Sequence, residues 1–444
     1  MTLFEIAALF NTTCAEDTAL AGISIDSRQI KPGYLFVAIS GERFDGHHFI
    51  QDAVAHGAVA VVCSQVVPNL IIPQIIVPDT LQALAAIAAY HRQKIVCPVI
   101  ALTGSNGKTT VKEMIAAILP KPSFATPGNL NNHIGAPLSV LALSVEHRYA
   151  VFELGANHPG EIAHTVKIVQ PHVTLINNIA PAHIEGFESI EGIAQAKGEI
   201  HQGLASEGTA VINEDDTYAH YWDSLLVNKK IIRFSATNRA TIYARDIVFN
   251  NEGCPHFILV TPVGEVAVQL RVPGFHSVSN ALAAAACTYA LDINLTDIAD
   301  GLNQFAGVAG RMTFLPGKNA AVIIDDTYNA NLRSVLTALD VLAKRQGRRI
   351  FVFGDMGELG PFSQQHHHEV GIAARAHGID VLMSCGKHSE STVLAFGGSG
   401  KHYDNQGALI RDLLHQLDDR TTVLVKGSRS AAMENIVHQL VREV

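Results

Sequence analysis

Eight consecutive residues, Thr103-Gly104-Ser105-Asn106-Gly107-Lys108-Thr109-Thr110, have the types and spacing to hold a polyphosphate. They follow an apolar run, Val99-Ile100-Ala101-Leu102, and open an amphipathic segment from Val111 to Leu119 that stops at Pro120. Strand, glycine loop ending in Gly-Lys-Thr, helix is the layout of a phosphate-binding loop. The glycines let backbone N–H groups turn toward the phosphates. Lys108 adds a cation near the β- and γ-phosphates, and Thr109 offers a hydroxyl to Mg²⁺. ATP is the expected ligand, with the whole stretch against its phosphates. The usual motif places its first glycine five residues before the second. That position is Leu102 here, so the loop is a compact variant, Gly-x-x-Gly-Lys-Thr. The alternative is an ordinary strand-to-helix turn, but Lys-Thr at a helix N-terminus has no packing reason to be there.

Open α/β sheets bind ligands beyond the carboxyl ends of their strands, so the residues after each later apolar run carry the next candidates. Glu153 sits at the end of Val151-Phe152-Glu153-Leu154-Gly155, a charge in an apolar strand. An unpaired buried carboxylate is costly, so Glu153 needs a cation: Mg²⁺ beside the triphosphate, or a lysine or arginine elsewhere in the chain. His183 follows the run Leu175-Ile176-Asn177-Asn178-Ile179. A lone histidine is commonly a surface residue, and the strand-end position is what favours a functional one. Lys197, early in the next helix, either binds phosphate or is solvated. The segment Asp325-Asp326-Thr327-Tyr328-Asn329-Ala330-Asn331 suits ribose hydroxyls or an adenine edge, or else a turn and helix cap. Gly354-Asp355-Met356-Gly357-Glu358-Leu359-Gly360 and Lys426-Gly427-Ser428-Arg429-Ser430 end two further strands. The second combines two cations with serine, a corner for a carboxylate. Either loop can equally be structural.

These groups need a scaffold, and 444 residues allow about three domains. Residues 1–87 read as a small mixed α/β domain, with strands at 23–26, 34–38 and 58–63, a helix at 49–56 and an Ala-rich helix from Leu81 to Tyr90 that bridges onward. Residues 88–311 read as a doubly wound, mostly parallel sheet carrying the phosphate loop, with strands at 99–102, 149–154, 173–179 and 209–212. A β-rich stretch at about 230–272 interrupts that rhythm before a helix from Gly274 to Leu291. Residues 312–444 read as a third, Rossmann-like α/β unit with strands at 321–324, 349–353, 381–384 and 422–425. The run His366-His367-His368-Glu369 reads as a solvated helix face.

Bulk composition narrows the function classes. The net charge of −9 without a long basic run argues against a nucleic-acid surface. The N-terminus lacks a basic n-region, and no apolar run approaches about 18 residues, so neither a signal peptide nor a membrane span is expected. The six cysteines are far apart and mostly in apolar stretches, which reads as reduced thiols in a cytoplasmic protein. No Cys-x-x-Cys pairing offers a zinc site.

Taken together, the motifs resemble the Mur ligases of bacterial cell-wall synthesis over essentially the whole chain. The resemblance runs through Asp26-Ser27-Arg28, Gly41-Glu42-Arg43-Phe44-Asp45-Gly46-His47, the phosphate loop and Asn131-Asn132-His133-Ile134-Gly135. It continues through Glu153 to His158, His183 to Phe187, Ala196-Lys197-Gly198-Glu199, Asp326 to Asn331 and Lys426 to Ser430. It implies ATP-dependent amide formation: a substrate carboxylate takes the γ-phosphoryl group, an amine attacks the acyl phosphate, and phosphate leaves. The Tyr-Asn-Ala-Asn and Lys-Gly-Ser-Arg-Ser segments favour the member that joins D-alanyl-D-alanine to UDP-N-acetylmuramoyl-tripeptide. Two Mg²⁺ ions are implied, with Thr109, Glu153 and His183 as ligands. Lys197 matches a lysine that family members carbamylate with CO₂, which turns a cation into an acidic oxygen ligand. Lys108, Glu153, His183 and Lys197 are thereby the catalytic set. Asn280, Arg311, Asp326 and Asn329 are implied nucleotide contacts. Ser27, Arg28, Arg43, Phe44, Asp45 and His47 match the UDP-sugar region. Asn131, Asn132, Asn331, Lys426, Ser428 and Arg429 are the other implied substrate-binding positions. The protein is expected to act as a monomer. One departure stands out: the family often has His-Asn ahead of its nucleotide-binding asparagine, whereas this chain reads His276-Ser277-Val278-Ser279-Asn280.

Other readings differ in what they require. A sister ligase adding the third amino acid, or a folylpolyglutamate synthase, shares the centre of the chain and differs at the first domain and at 426–430. A P-loop kinase or ATPase needs neither an amine nor a first domain.

Overall fold

The computed structural model describes residues 1–41, 44–181 and 184–442. Among them the strands form three sheets, of four, nine and six strands. Arg43 and His183, two of the candidate site residues, lie outside the described residues.

The N-terminal sheet is parallel throughout and runs Gly22–Ser24, Tyr34–Val37, Ala58–Cys63, Gln74–Ile76. The helix Thr80–Gln93 leaves it and serves two cores at once. Ala83, Leu84 and Ile87 pack with Leu3, Leu35 and Val62, while Ala85 and Ala88 pack with Val99 and Phe152 of the central sheet. A domain boundary at 87 therefore falls inside one continuous helix.

In the central sheet the strand Val99–Thr103 lies between Tyr149–Glu153 and Val173–Ile176, parallel to both. Alternate residues of these strands feed opposite faces: Ile100, Leu102, Val151 and Leu175 enter one core, and Val99, Ala101, Phe152 and Ile176 the other. Helices cover both faces, which is why the strands read as continuous apolar runs. Leu102 is fully buried, so the place of the missing glycine is a core position of the strand. The β-rich stretch does not interrupt this sheet but extends it. Lys230–Ser235 adds in parallel to Thr209–Asn213, and Ile242–Phe249, Pro255–Thr261 and Gly264–Gln269 carry the sheet outward, the last two in antiparallel pairings. Their apolar side faces Ala281, Leu282 and Ala285 of the helix Phe275–Tyr289, so a polar-edged meander still has a core to join.

The third sheet orders Thr313–Pro316, Val322–Asp326, Thr421–Lys426, Arg348–Phe353, Val381–Cys385, Gly400–Tyr403, with only the first strand antiparallel. His367 corrects the reading of its helix as a solvated face. It is fully buried, its Nε2 accepts from the Met356 N–H at 3.0 Å, and burial lowers the pKa of its imidazole. All six cysteines are free, and Cys63, Cys97, Cys254 and Cys287 are buried. Among the described residues no helix is long and apolar enough to cross a membrane.

Candidate active site

The parallel register puts the phosphate loop, Glu153 and Asn177 at one sheet edge. Leu102 pairs with Glu153, and Thr103 with Ile176. The loop is braced from the neighbouring strand end. The Ser105 N–H donates to Asn178 O at 2.9 Å and the Asn106 N–H to Asn178 Oδ1 at 2.8 Å. Asn177 Nδ2 donates to Asn106 O at 2.9 Å and to Asn280 Oδ1 at 3.1 Å. Sequence reasoning missed Asn177 and Asn178 as part of the site. The available signal was two adjacent amides at the carboxyl end of a core strand.

Gly107 precedes the helix Lys108–Ile118 with φ +78°, and no side chain caps that helix. Its first-turn N–H groups are thus left for a ligand, the arrangement that favours an anion. A Cβ on Gly107 would lie 2.6 Å from Asn280 Oδ1 and 2.7 Å from Asn177 Nδ2. Gly107→Ala is therefore expected to abolish nucleotide binding and to cost about 1–3 kcal/mol in backbone strain. Nucleotide titration by calorimetry alongside urea unfolding checks both, and wild-type nucleotide affinity would show that this loop is not the phosphate cradle.

Lys108 Nζ donates to Gly104 O at 2.7 Å. Desolvation pushes its pKa down, the Glu153 carboxylate opposes that shift, and the Arg311 guanidinium adds to it. Glu153 is buried; its Oε1 accepts from Asn131 Nδ2 at 2.7 Å, and its Oε2 is buried without a partner. Just ahead of the helix Gly135–Leu141, Asn132 Oδ1 accepts from the Gly135 N–H at 2.8 Å. Lys197 is 3% exposed, and among the described residues it makes no ion pair. Burial, then the positive charge of Lys108, drives its pKa well below the ordinary lysine value. Its Nζ lies 5.9 Å from the centre of the Phe187 ring.

Arg311 and the third domain close this edge. Arg311 Nη2 donates to Thr109 Oγ1 at 3.0 Å, and its guanidinium lies 4.0 Å from the centre of the Tyr328 ring. The Thr109 hydroxyl is thus held by a guanidinium whose own Nε is buried and unpartnered. Asn331 Nδ2 donates to Asn106 Oδ1 at 2.8 Å, and Arg333 Nη1 to Ile179 O at 3.1 Å. Lys426 is buried and paired with Asp326 at 2.5 Å; it also donates to Asn329 O at 3.0 Å. It is thus held beneath Asp326 and Asn329, already paired, where the sequence suggested a cation open to a carboxylate. Arg429 pairs with Glu434 at 2.7 Å, and the Ser428 and Ser430 hydroxyls lie 3.1 Å apart. Ser277 Oγ donates to Pro273 O at 2.7 Å, so it does not stand in for the missing asparagine.

A cleft of about 1130 Å³ joins these groups. It is lined by Lys108, Glu153, Asn280 and Arg311, and by Asp326, Asn329 and Arg429 from the third domain. Ser27, Arg28, Phe44, Asp45 and His47 do not line it. They gather instead at the carboxyl ends of the N-terminal sheet. Ser27 is buried, and Arg28 is paired with Asp26 at 2.8 Å. His47 Nδ1 lies 2.6 Å from Asp45 Oδ1, and its Nε2 accepts from the Ser64 N–H at 2.9 Å, which places the ring proton on Nδ1.

Three family profiles match the chain: the Mur ligase family catalytic domain over 19–92, the Mur ligase middle domain over 102–288, and the Mur ligase glutamate ligase domain over 310–429. The chain is 43% identical over 445 residues to the UDP-N-acetylmuramoyl-tripeptide–D-alanyl-D-alanine ligase of Escherichia coli strain K12, covering 99% of this chain and 98% of that protein. This chain belongs to the Mur ligase family. The crystal structure of MurF from Acinetobacter baumannii superposes with TM-score 0.92 at 36% identity, covering 98% of this chain and 97% of that one. MurF from Thermotoga maritima in complex with ADP gives TM-score 0.82 at 27% identity, covering 94% and 96%. The Mur ligase architecture of three domains is thus present from end to end, with the phosphate loop in the middle domain and Asp326 and Lys426 in the glutamate ligase domain.

Proposed function

We propose that this chain is the ATP-dependent, ADP-forming ligase that joins D-alanyl-D-alanine to UDP-N-acetylmuramoyl-tripeptide, giving UDP-N-acetylmuramoyl-pentapeptide for peptidoglycan synthesis. The observation that carries the reading is the end-to-end match, 43% over 99% of the chain, to a ligase named for that reaction. The cleft supports it, because one cavity adjoins a phosphate loop, an acidic strand end and the closing third domain.

In the first step the terminal carboxylate of the tripeptide attacks the γ-phosphorus, the bond to the β,γ-bridging oxygen breaks, and ADP leaves with that electron pair. The dipeptide amine then attacks the acyl carbon. The tetrahedral intermediate collapses, phosphate leaves, and the amine proton passes to solvent. The protein's task is to hold crowded anions in place while charge moves. Lys108 and the first turn of Lys108–Ile118 face the phosphates. Arg311 turns from Thr109 to the nucleotide as it binds, and Asp326, steadied by Lys426, takes the ribose. Ser27, Arg28, Arg43, Phe44, Asp45 and His47 hold the UDP end. Closure of the third domain keeps water from the acyl phosphate.

The residues present fit divalent cations. Glu153 Oε2 is a buried carboxylate oxygen without a partner, aimed from a strand end beside the loop. Among the described residues no three His, Cys, Asp or Glu side chains cluster, so the set must draw on other oxygens. Thr109, Glu153, His183 and the carbamate of Lys197 would hold two Mg²⁺ ions, which supply charge neutralisation along the triphosphate. Lys197 suits carbamylation because burial pushes its amine pKa well below the ordinary lysine value, and among the described residues no carboxylate pairs with it. We take the enzyme to be a cytoplasmic monomer.

ADP release measured with UDP-N-acetylmuramoyl-tripeptide, with and without D-alanyl-D-alanine, tests the reaction. Release is expected to require both substrates. Release that ignores either one removes the ligase reading and leaves a kinase or ATPase.

A further inference from the structure

Two side chains outside the reacting set pin the backbone on either side of Lys197. The carboxylate of Glu199 accepts from the Gly160 N–H at 2.8 Å through Oε1 and from the Ala163 N–H at 2.9 Å through Oε2. Those donors open the helix Glu161–Val169, whose N-cap is Gly160 and which no N-cap side chain caps. A carboxylate on first-turn N–H groups makes charge-assisted bonds and complements the helix dipole. The bond is also a tether. The capped helix follows, through one loop, the strand that ends at Glu153, so Glu199 ties the chain beyond Glu153 to the residue two places after Lys197.

The other pin is an indole. Trp222 is 2% exposed, and its Nε1 donates to Ala194 O at 3.1 Å, on the helix Ile190–Gly198 that carries Lys197. The ring lies against Gly198 so closely that a Cβ there would sit 2.4 Å from Trp222 Nε1 and 2.6 Å from its Cδ1. The glycine after Lys197 is therefore what lets the indole reach the helix. Phe187, 3% exposed, supplies the wall over the amine itself.

We propose that Glu199 and Trp222 are positioning residues for Lys197, and that they set how readily it holds its carbamate. This rests on the reading of Lys197 as a carbamate. In forming it, the amine lone pair attacks the carbon of CO₂, a C–N bond forms, one C=O electron pair moves onto oxygen, and an N–H proton leaves to solvent. The reverse reaction is equally open, so occupancy depends on how well the new carboxylate is aimed at its partners. That aim is set by the backbone at 197, which both pins hold.

The test compares full-length wild type with Glu199→Gln and Trp222→Phe. One measurement is the ¹³C carbamate resonance in protein equilibrated with ¹³C-bicarbonate, Mg²⁺ and ADP. The other is ligation rate against bicarbonate concentration. Each variant is expected to lose the resonance at ambient CO₂ and to need about tenfold more bicarbonate for half-maximal rate, with kcat recovered at saturation, as for other residues that orient a metal ligand. Equal loss of rate at every bicarbonate concentration, or an unchanged bicarbonate requirement, overturns the proposal. Glu199→Gln keeps the shape of a half-buried side chain, so it remains informative if Trp222→Phe fails to fold. A wild-type protein with no carbamate resonance overturns the reading of Lys197 itself, a result distinct from variants that match a carbamylated wild type.

Discussion

Lys197→Ala is expected to lower kcat by about 10²–10³, roughly 3–4 kcal/mol of transition-state stabilisation, the loss typical of one preorganised electrostatic group. The side chain is 3% exposed and makes no ion pair among the described residues, so its burial as a lysine has no compensating carboxylate. The positive charge of Lys108 adds to what burial does in disfavouring a charged amine at Lys197, and Glu153 is the carboxylate that acts on Lys108. Carbamylation would put a negative charge there in place of a disfavoured positive one. Alanine leaves a small space beside Phe187 that formate or acetate can enter, and either should restore part of kcat in a concentration-dependent way. Steady-state rates with and without these acids decide the matter: a fully active Lys197→Ala enzyme would mean that neither the charge nor the carbamate takes part.

Lys108→Ala is expected to lower kcat/KM for ATP by about 10³ or more while leaving affinity for the UDP-linked substrate within about twofold, because the loss falls on phosphate charge alone. The lysine rests on Gly104 O at 2.7 Å, and the Arg311 guanidinium acts against its charge while the Glu153 carboxylate supports it, so the loop holds cations that repel one another. A bound polyphosphate relieves that repulsion. Saturating ADP should accordingly stabilise the wild type by about 3 kcal/mol at one hundred times its Kd and raise Tm by a few degrees. Lys108→Ala should lose that shift without losing stability in the absence of nucleotide, since it removes a desolvated cation. Thermal unfolding with and without ADP measures both, and an undiminished ADP shift in the variant would place the phosphates elsewhere.

Much of this was legible in the chain because it is local. Strand, loop and helix around 99–118 are written in consecutive residues: apolar alternation, glycines with positive φ at 104 and 107, and a lysine at the helix start. The parallel rhythm of the central and third sheets follows equally from short apolar runs separated by helical segments. Carboxyl ends of neighbouring parallel strands must share an edge, so Glu153 was a candidate before any coordinates.

What tertiary structure decided concerns partners far apart in sequence. Asn177 and Asn280 meet across 103 residues, Arg311 and Thr109 across 202, and Asn331 and Asn106 across 225. Nothing in the spacing of a motif says that Thr109 is held by a guanidinium, or that Lys426 is buried on Asp326 instead of open to substrate. The same holds for the strands at 230–269, which extend the central sheet because the helix Phe275–Tyr289 folds back to cover their apolar side, and for His367, which a helical run of histidines presents as solvated. Residue type and period determine which elements form and which groups can do chemistry. Which of those groups are already spent on one another depends on pairing and burial between distant segments, and only the packed chain brings those together.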